Sequence, residues 1–254
     1  MINDFLKNIS RLGFITVNNL YSYFLNSKLI KGPLFVNWDI THKCNSRCIF
    51  CDRWKIKKED LSTEDKIKII RELGKTKVWM LSLCGGEPLL VENLELILKE
   101  IKKQGMLINI STNGLLLKEK SELLVKSKVD FITVSIQGHT EKIHDSIVGI
   151  NGAFKKVKNG INSIKKMRKE KNFPKIYARV VLNRLTLDYF DDFLDYWSRR
   201  VDKIILQPIS SSSKMLFKIP KKMKFLESDK KKFENYYQTL KKYNQAILYN
   251  KLIP

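Results

Sequence analysis

What this 254-residue chain has little of narrows its chemistry first. It holds four cysteines, and three of them crowd into residues 44 to 51 instead of spreading along the chain for pairing, so a reducing cytoplasm is their natural setting. No apolar run approaches the roughly 18 residues that would cross a bilayer. No export signal opens the sequence either, because Asp4, Lys7 and Arg11 interrupt its apolar residues and no small-residue cleavage site follows. Acidic residues are scarce beside basic ones, 26 Asp and Glu against 48 Lys and Arg, for a formal charge of +22. Such a surplus fits a polyanionic partner, RNA or an acidic membrane surface. Yet 39 of the 48 are lysine and 9 are arginine, whereas nucleic-acid sites lean on arginine forks. A lysine-rich composition of the kind an AT-rich genome dictates accounts for the charge more simply.

What is present describes a globular chain able to bury one substantial core. Hydrophobic residues make up 43% and aromatics 10% of the chain, which argues against disorder. The length suits one domain with trimmings. Short apolar runs at 34–40, 78–84, 107–112, 131–137, 176–182 and 203–209 read as strands. Between them, helical periodicity covers 62–74, 91–104, 116–127, 152–170 and 186–200. Ser62 with Asp65 resembles a capping box, and Gly105 closes a helix before the next strand. Strands that each hand over to a helix imply parallel βα units, an α/β barrel or open sheet two units short of the eight-fold barrel. Residues 1–32 place Phe5, Leu6, Ile9, Leu12, Leu20, Tyr23 and Phe24 at amphipathic helical spacing, and 210–254 read as a loop followed by a helix from 229 to 249.

The cysteines then find their place. Cys44, Cys48 and Cys51 follow the first strand directly, at the carboxyl edge where parallel α/β folds keep their active sites. The C-x3-C-x2-C spacing curls a loop so that three thiolates converge, the arrangement that holds iron–sulfur clusters. Three ligands for a four-iron cube leave one iron open to a substrate or cofactor. A rival reading joins His42 to the same three cysteines as a structural zinc site in a basic nucleic-acid-binding module. Against it, zinc ligands usually come as two separated pairs.

With these residues on the page, the sequence resembles the radical S-adenosylmethionine (radical SAM) superfamily from residue 33 to about 209. The Cys loop carries Phe50 at the aromatic position before its last Cys, "GGEP" stands at 85–88 after the second strand, "STNG" at 111–114 ends the third, and "VSIQGHTEKIHD" follows the fourth. The resemblance implies a partial (β/α)6 TIM-type barrel flanked by N-terminal amphipathic helices and a C-terminal helix. It implies a [4Fe–4S] cluster on Cys44, Cys48 and Cys51, reductive cleavage of S-adenosylmethionine, and hydrogen abstraction by a 5′-deoxyadenosyl radical. An external electron donor such as ferredoxin or flavodoxin is then required. It also implies cofactor contacts by Phe50, Gly85, Gly86, Glu87, Thr112, Asn113 and Ser135, with Glu87 accepting from the cofactor's ammonium group.

Departures from the family pattern matter as well. Gln137 stands where many relatives carry Asp, and Val148 where many carry an Arg that clamps the cofactor carboxylate. Arg179 in the fifth strand is the replacement for that clamp, with a wall arginine paired to Asp39 as its alternative. The pair His144 and Asp145 fits a structural role. Cys84 reads as a small buried hydrophobe at a tight strand end rather than a fourth ligand or hydrogen donor. No cysteine follows it, so an auxiliary cluster has no ligands here. The substrate stays open among a lipid or isoprenoid, a tRNA base and a small metabolite. Residues 3–30, with Lys7, Arg11, Lys28 and Lys31 beside their apolar stripe, either lie peripherally on an acidic membrane or pack across the barrel's open flank.

Overall fold

The computed structural model describes residues 33–168, 173–209, 219–229, 232 and 247–249. Strand β1 (Phe35–Thr41) leads through the Cys loop to helix α1 (Thr63–Lys75) and strand β2 (Met80–Gly85). Next come α2 (Leu94–Lys103), β3 (Leu107–Thr112), α3 (Ser121–Lys126) and β4 (Phe131–Ser135). Two helices, α4 (Glu141–Val148) and α5 (Ala153–Arg168), precede β5 (Lys175–Leu182); α6 (Arg184–Leu187) and α7 (Phe190–Ser198) precede β6 (Lys203–Pro208). Strand order in the sheet is chain order, and every pairing is parallel. The sheet is thus a partial barrel with its loops of interest at one edge.

Each strand turns one face outward to the helices. Leu81, Leu83, Ile108, Ile110, Ile132, Val134, Ile176 and Ala178 are fully buried there. Helix α2 meets them with Leu94, Ile97, Leu98 and Ile101, the i, i+3, i+4, i+7 spacing of one helical face. Burying side chains of this size is worth roughly 1.5–3 kcal/mol each, and this layer is what fixes the strand ends in space. Ser62 caps α1 by accepting from the Asp65 amide at 3.1 Å, as its spacing suggests.

Three expectations are corrected. Residues 247–249, expected within a helix, form a short strand β7 (Ile247–Tyr249) that pairs in parallel with β6. The helix expected over 186–200 is broken, because Asn183 caps α6 and α7 starts afresh at Phe190. Helix α4, absent from the expected helices, begins inside the VSIQGHTEKIHD stretch and is capped by Thr140, whose hydroxyl accepts from the Ile143 amide. The apolar stripe of residues 3–30 and most of the expected C-terminal helix lie outside the described residues. Among the described residues no helix is long and apolar enough to cross a membrane.

Candidate active site

The Cys loop leaves β1 at the carboxyl edge and is stitched down at both ends. At its root, Asp60 accepts from the Thr41 hydroxyl at 2.6 Å and from the His42 amide at 3.0 Å. In its middle, the Arg47 and Ile49 amides donate to the carbonyls of Val148 and Ile147 at 2.9 and 3.0 Å, and the buried Ser46 hydroxyl donates to Val148 at 3.1 Å. The end of α4 is therefore the loop's anchor. Gly149 (φ +70°) is required there, since a Cβ would sit 2.6 Å from the Arg47 carbonyl oxygen. Cys44, Cys48 and Cys51 are all free thiols and half-buried, and the Cys51 amide closes a turn onto the Cys48 carbonyl at 3.1 Å. Half-buried Phe50 lies in that turn.

Electrostatics links these sulfurs, with Cys51 acting on both Cys44 and Cys48. Burial pushes all three thiols up, Cys48 to about 11; repulsion from the neighbouring cysteines adds to the rise at Cys44 and Cys48, and Asp52 adds to it at Cys51. Such thiols stay protonated until a cation arrives; bound iron would deprotonate them, as coordinating metals do. Among the described residues no three His, Cys, Asp or Glu side chains converge on a single-ion position. His42 and the three cysteines are thus not gathered as a ready tetrahedral site for one zinc. A four-iron cluster asks less of them, because each thiolate then binds a different iron.

The GGEP and STNG turns brace this loop. The Gly86 amide donates to the Thr41 carbonyl and the Glu87 amide to the Lys43 carbonyl, both at 2.8 Å. A Cβ on Gly86 would fall 2.1 Å from the Lys43 carbonyl oxygen, and one on Gly85 (φ +115°) 2.5 Å from that of Thr41. The two glycines are thus needed for the approach of the Cys-loop root. Glu87 is 0% exposed. It accepts from the Thr112 hydroxyl at 2.7 Å, the Asn113 amide at 2.7 Å and the Leu89 amide at 3.0 Å. Asn113 in turn donates to the Asn45 side chain at 2.8 Å, with its amide nitrogen 4.0 Å from the Cys44 sulfur. Glu87 and Thr112, expected as cofactor contacts, are both buried and bonded to each other across the two turns, which they brace. Asn113 does reach the Cys loop, and Ser135 stands half-buried at the end of β4 beside Arg179 of β5.

Arg179 is not paired to Asp39. It donates to the Ser111 hydroxyl at 3.1 Å, while Asp39 is held by Arg53 at 2.6 Å. Cys84 also departs from its expected role. It is half-buried on the concave face and lies within hydrogen-bond reach of Asp39 and the Trp38 carbonyl, each at 3.4 Å, so it is no part of the apolar core. Burial and then Asp39 push its thiol up to about 12. The cluster cysteines do not figure among the charges acting on it. Replacing Cys84 by Ala should leave iron content unchanged in reconstituted protein, and loss of iron would mark it as a ligand.

The pair His144 and Asp145 is structural, as expected. Asp145 accepts from the Gly152 and Phe154 amides at 2.6 and 2.8 Å and so starts α5. Fully buried His144 accepts from the Gln137 amide at 3.0 Å, and burial lowers its pKa to about 4. A histidine held neutral in this way stabilises the fold above its unfolded value near 6.5 and loses that contribution as pH falls toward 4. Between pH 7 and 5 the chain should lose about 2 kcal/mol that His144→Gln does not lose. Paired denaturant titrations measure the difference; equal losses would place His144 outside the core.

Asp60, Ser46 and Ser111 were not singled out from sequence. Asp60 is 18 to 19 residues from its partners, and no local pattern marks it. Ser111 belongs to the STNG stretch, so strand alternation alone could have shown that it points opposite to Thr112.

Comparison with known proteins agrees with this geometry. A family model described as "Radical SAM superfamily" matches residues 38–196, more than half of the chain. A probable GTP 3′,8-cyclase of Thermococcus kodakarensis is 31% identical over 116 residues, 44% of this chain and 38% of the cyclase. An AdoMet-dependent heme synthase of Methanosarcina barkeri is 30% identical over 142 residues, 54% of this chain and 41% of the synthase. The matched stretches thus span well under half of either relative. The crystal structure of Streptococcus suis SuiB bound to S-adenosylmethionine superposes with a TM-score of 0.66 at 17% identity, covering 87% of this chain and 50% of SuiB. Native anSMEcpe with bound AdoMet gives a TM-score of 0.67 at 16% identity over 85% of this chain and 63% of that one; both share its fold. A three-cysteine loop braced by GGEP and STNG at the carboxyl edge of a parallel partial barrel agrees with the family match, and the chain belongs to the radical SAM superfamily.

Proposed function

We propose that Cys44, Cys48 and Cys51 each bind one iron of a [4Fe–4S] cluster and leave the fourth iron to S-adenosylmethionine, so that the chain activates a C–H bond of its substrate. Enzymes of this superfamily use that cluster and that cofactor. When bound, the two supply reductive cleavage of the S–C5′ bond and a 5′-deoxyadenosyl radical that takes a hydrogen atom from the substrate. The chain's own residues position and enclose. Gly85, Gly86, Asn113 and Ser135 present backbone and short polar groups at the rim, where the methionine part of the cofactor would lie. Phe50 screens the cluster turn from water. Glu87 and Thr112 hold the two rim turns in register.

An external one-electron donor of the ferredoxin or flavodoxin kind is the expected partner. Exposed Lys55, Lys57 and Lys58 follow Cys51, and the exposed Trp54 ring lies under the Arg47 guanidinium at 4.8 Å. A basic surface beside the cluster loop suits an acidic donor protein.

The observation that carries this reading is the Glu87–Asn113–Asn45 chain of hydrogen bonds, which joins both rim turns to the Cys44 end of the loop. The test is anaerobic purification and reconstitution. Brown protein with iron and sulfide that releases 5′-deoxyadenosine from S-adenosylmethionine supports it; colourless protein with one tightly held zinc overturns it.

A further inference from the structure

The concave face of the barrel is polar, and it is open. On β5 the outward residues Ile176, Ala178 and Val180 are fully buried, whereas the inward Tyr177, Arg179 and Val181 are only half-buried. Closed barrels fill such inward positions with bulky branched apolar side chains. Here the lower level is a sealed polar layer: Asn109 donates to the Ser82 hydroxyl at 2.8 Å and accepts from the Thr133 hydroxyl at 2.9 Å. Above it, Cys84, Ser111 and Arg179 are all half-buried and reachable.

Arg179 is the unbalanced member of that level. Its guanidinium reaches past β4 to the Ser111 hydroxyl on β3. Its Nε is buried without a hydrogen-bond partner. Among the described residues no carboxylate lies within ion-pair distance of it, and Asp39, the acid on the same face, already holds Arg53 at 2.6 Å. A partly buried cation without a counter-charge is unfavourable, and a planar fork of N–H donors matches carboxylate or phosphate. The Cys loop meets β3 at Asn113, two residues beyond Ser111 and hence about 7 Å further along the strand. Arg179 itself stands in register with Ser135, the last residue of β4, and its guanidinium leans across the concave face to Ser111 on β3, two residues before the point where the Cys loop is met.

We propose that the concave face receives a small polar substrate bearing a carboxylate or phosphate, with Arg179 as its anion receptor and Ser111 steadying the guanidinium. This moves Arg179 from the cofactor to the substrate, and it rests on the radical-enzyme reading above. Among the described residues, polar groups and a charge face the opening at this level, which suits a polar substrate better than a hydrocarbon-rich one.

The test uses the full chain, reconstituted anaerobically, with Arg179→Gln and Arg179→Lys. Inorganic phosphate and S-adenosylmethionine are titrated separately by calorimetry. Phosphate should bind wild type and weaken about tenfold or more in Arg179→Gln, the effect of losing a charged hydrogen-bond partner, while cofactor affinity stays within about twofold. Arg179→Lys should keep part of the phosphate binding. Equal phosphate binding by wild type and Arg179→Gln, or none by wild type, overturns the proposal. A tenfold loss of cofactor affinity in Arg179→Gln assigns the residue to the cofactor's carboxylate and overturns it too. In a second arm, cell extract is split on an anion-exchange resin. The retained fraction should stimulate 5′-deoxyadenosine release by wild type and not by Arg179→Gln; stimulation by the unretained fraction alone counts against an anionic substrate. If wild type holds no iron and cleaves no cofactor, the radical reading fails, and the phosphate titration still decides whether Arg179 is an anion receptor.

Discussion

Replacing any one of Cys44, Cys48 or Cys51 by Ala should abolish iron binding and cofactor cleavage together. A cube held by two thiolates exposes two irons, and the loop offers no substitute ligand. Cys84 hydrogen-bonds to Asp39 and Trp38 instead, and His42 does not join the cysteines in a metal-sized cluster. The fold should survive all three substitutions. The loop's anchors are backbone bonds to Val148 and Ile147 and the bond from the Ser46 hydroxyl to Val148; only Cys48 touches them, through a 3.4 Å contact of its sulfur with the Ser46 hydroxyl, so its variant should show the largest of three modest drops in midpoint. Removing the Cys48 sulfur also removes a group whose burial disfavours its charged form. Iron and sulfide content, the cluster's visible absorption and 5′-deoxyadenosine release are measured beside the thermal midpoint. Full iron in all three variants would refute the cluster assignment, and a collapse of the midpoint would make the cysteines structural.

The strands and the cluster loop were legible in the sequence for physical reasons. Period-two alternation with Val, Ile and Leu survives in β3 and β5 because one face of each is buried under helices. The C-x3-C-x2-C spacing is a local property that a turn preserves. Side-chain roles at the rim were less legible, because they depend on which way each residue points. Glu87 follows two glycines that suggest close approach to a ligand. In the structure the close approach is to the Cys-loop root, and the carboxylate turns into the interior. Thr112 and Ser111 are neighbours in sequence, yet β3 sends Thr112 to Glu87 and Ser111 to Arg179. Partners far apart along the chain, such as Asp60 with Thr41 or Ser111 with Arg179, leave no spacing to read.

Glu87→Ala should destabilise the protein before it touches cofactor affinity. The substitution strips acceptors from the Thr112 hydroxyl and from the Asn113 and Leu89 amides. Buried donors left unsatisfied cost about 1–3 kcal/mol each. Relief from burying a carboxylate offsets part of that, since burial pushes the Glu87 pKa up to about 7. A net loss of about 2–4 kcal/mol is expected, enough to lower the thermal midpoint by roughly 5–15 °C in a chain of this size. Because Asn113 also holds Asn45 of the Cys loop, the variant should retain iron poorly. A direct bond from Glu87 to the cofactor's ammonium group would instead leave the midpoint and the iron unchanged and cost only cofactor affinity, so the two outcomes separate cleanly. The pH dependence gives a further sign. A carboxyl whose folded pKa is raised contributes most below its unfolded value near 4.5, and that contribution is lost as pH rises through about 7. The stability gap between wild type and Glu87→Ala should therefore narrow between pH 5 and pH 8. A gap that widens over that range would mean that Glu87 is ionised throughout, with its three donors outweighing its burial.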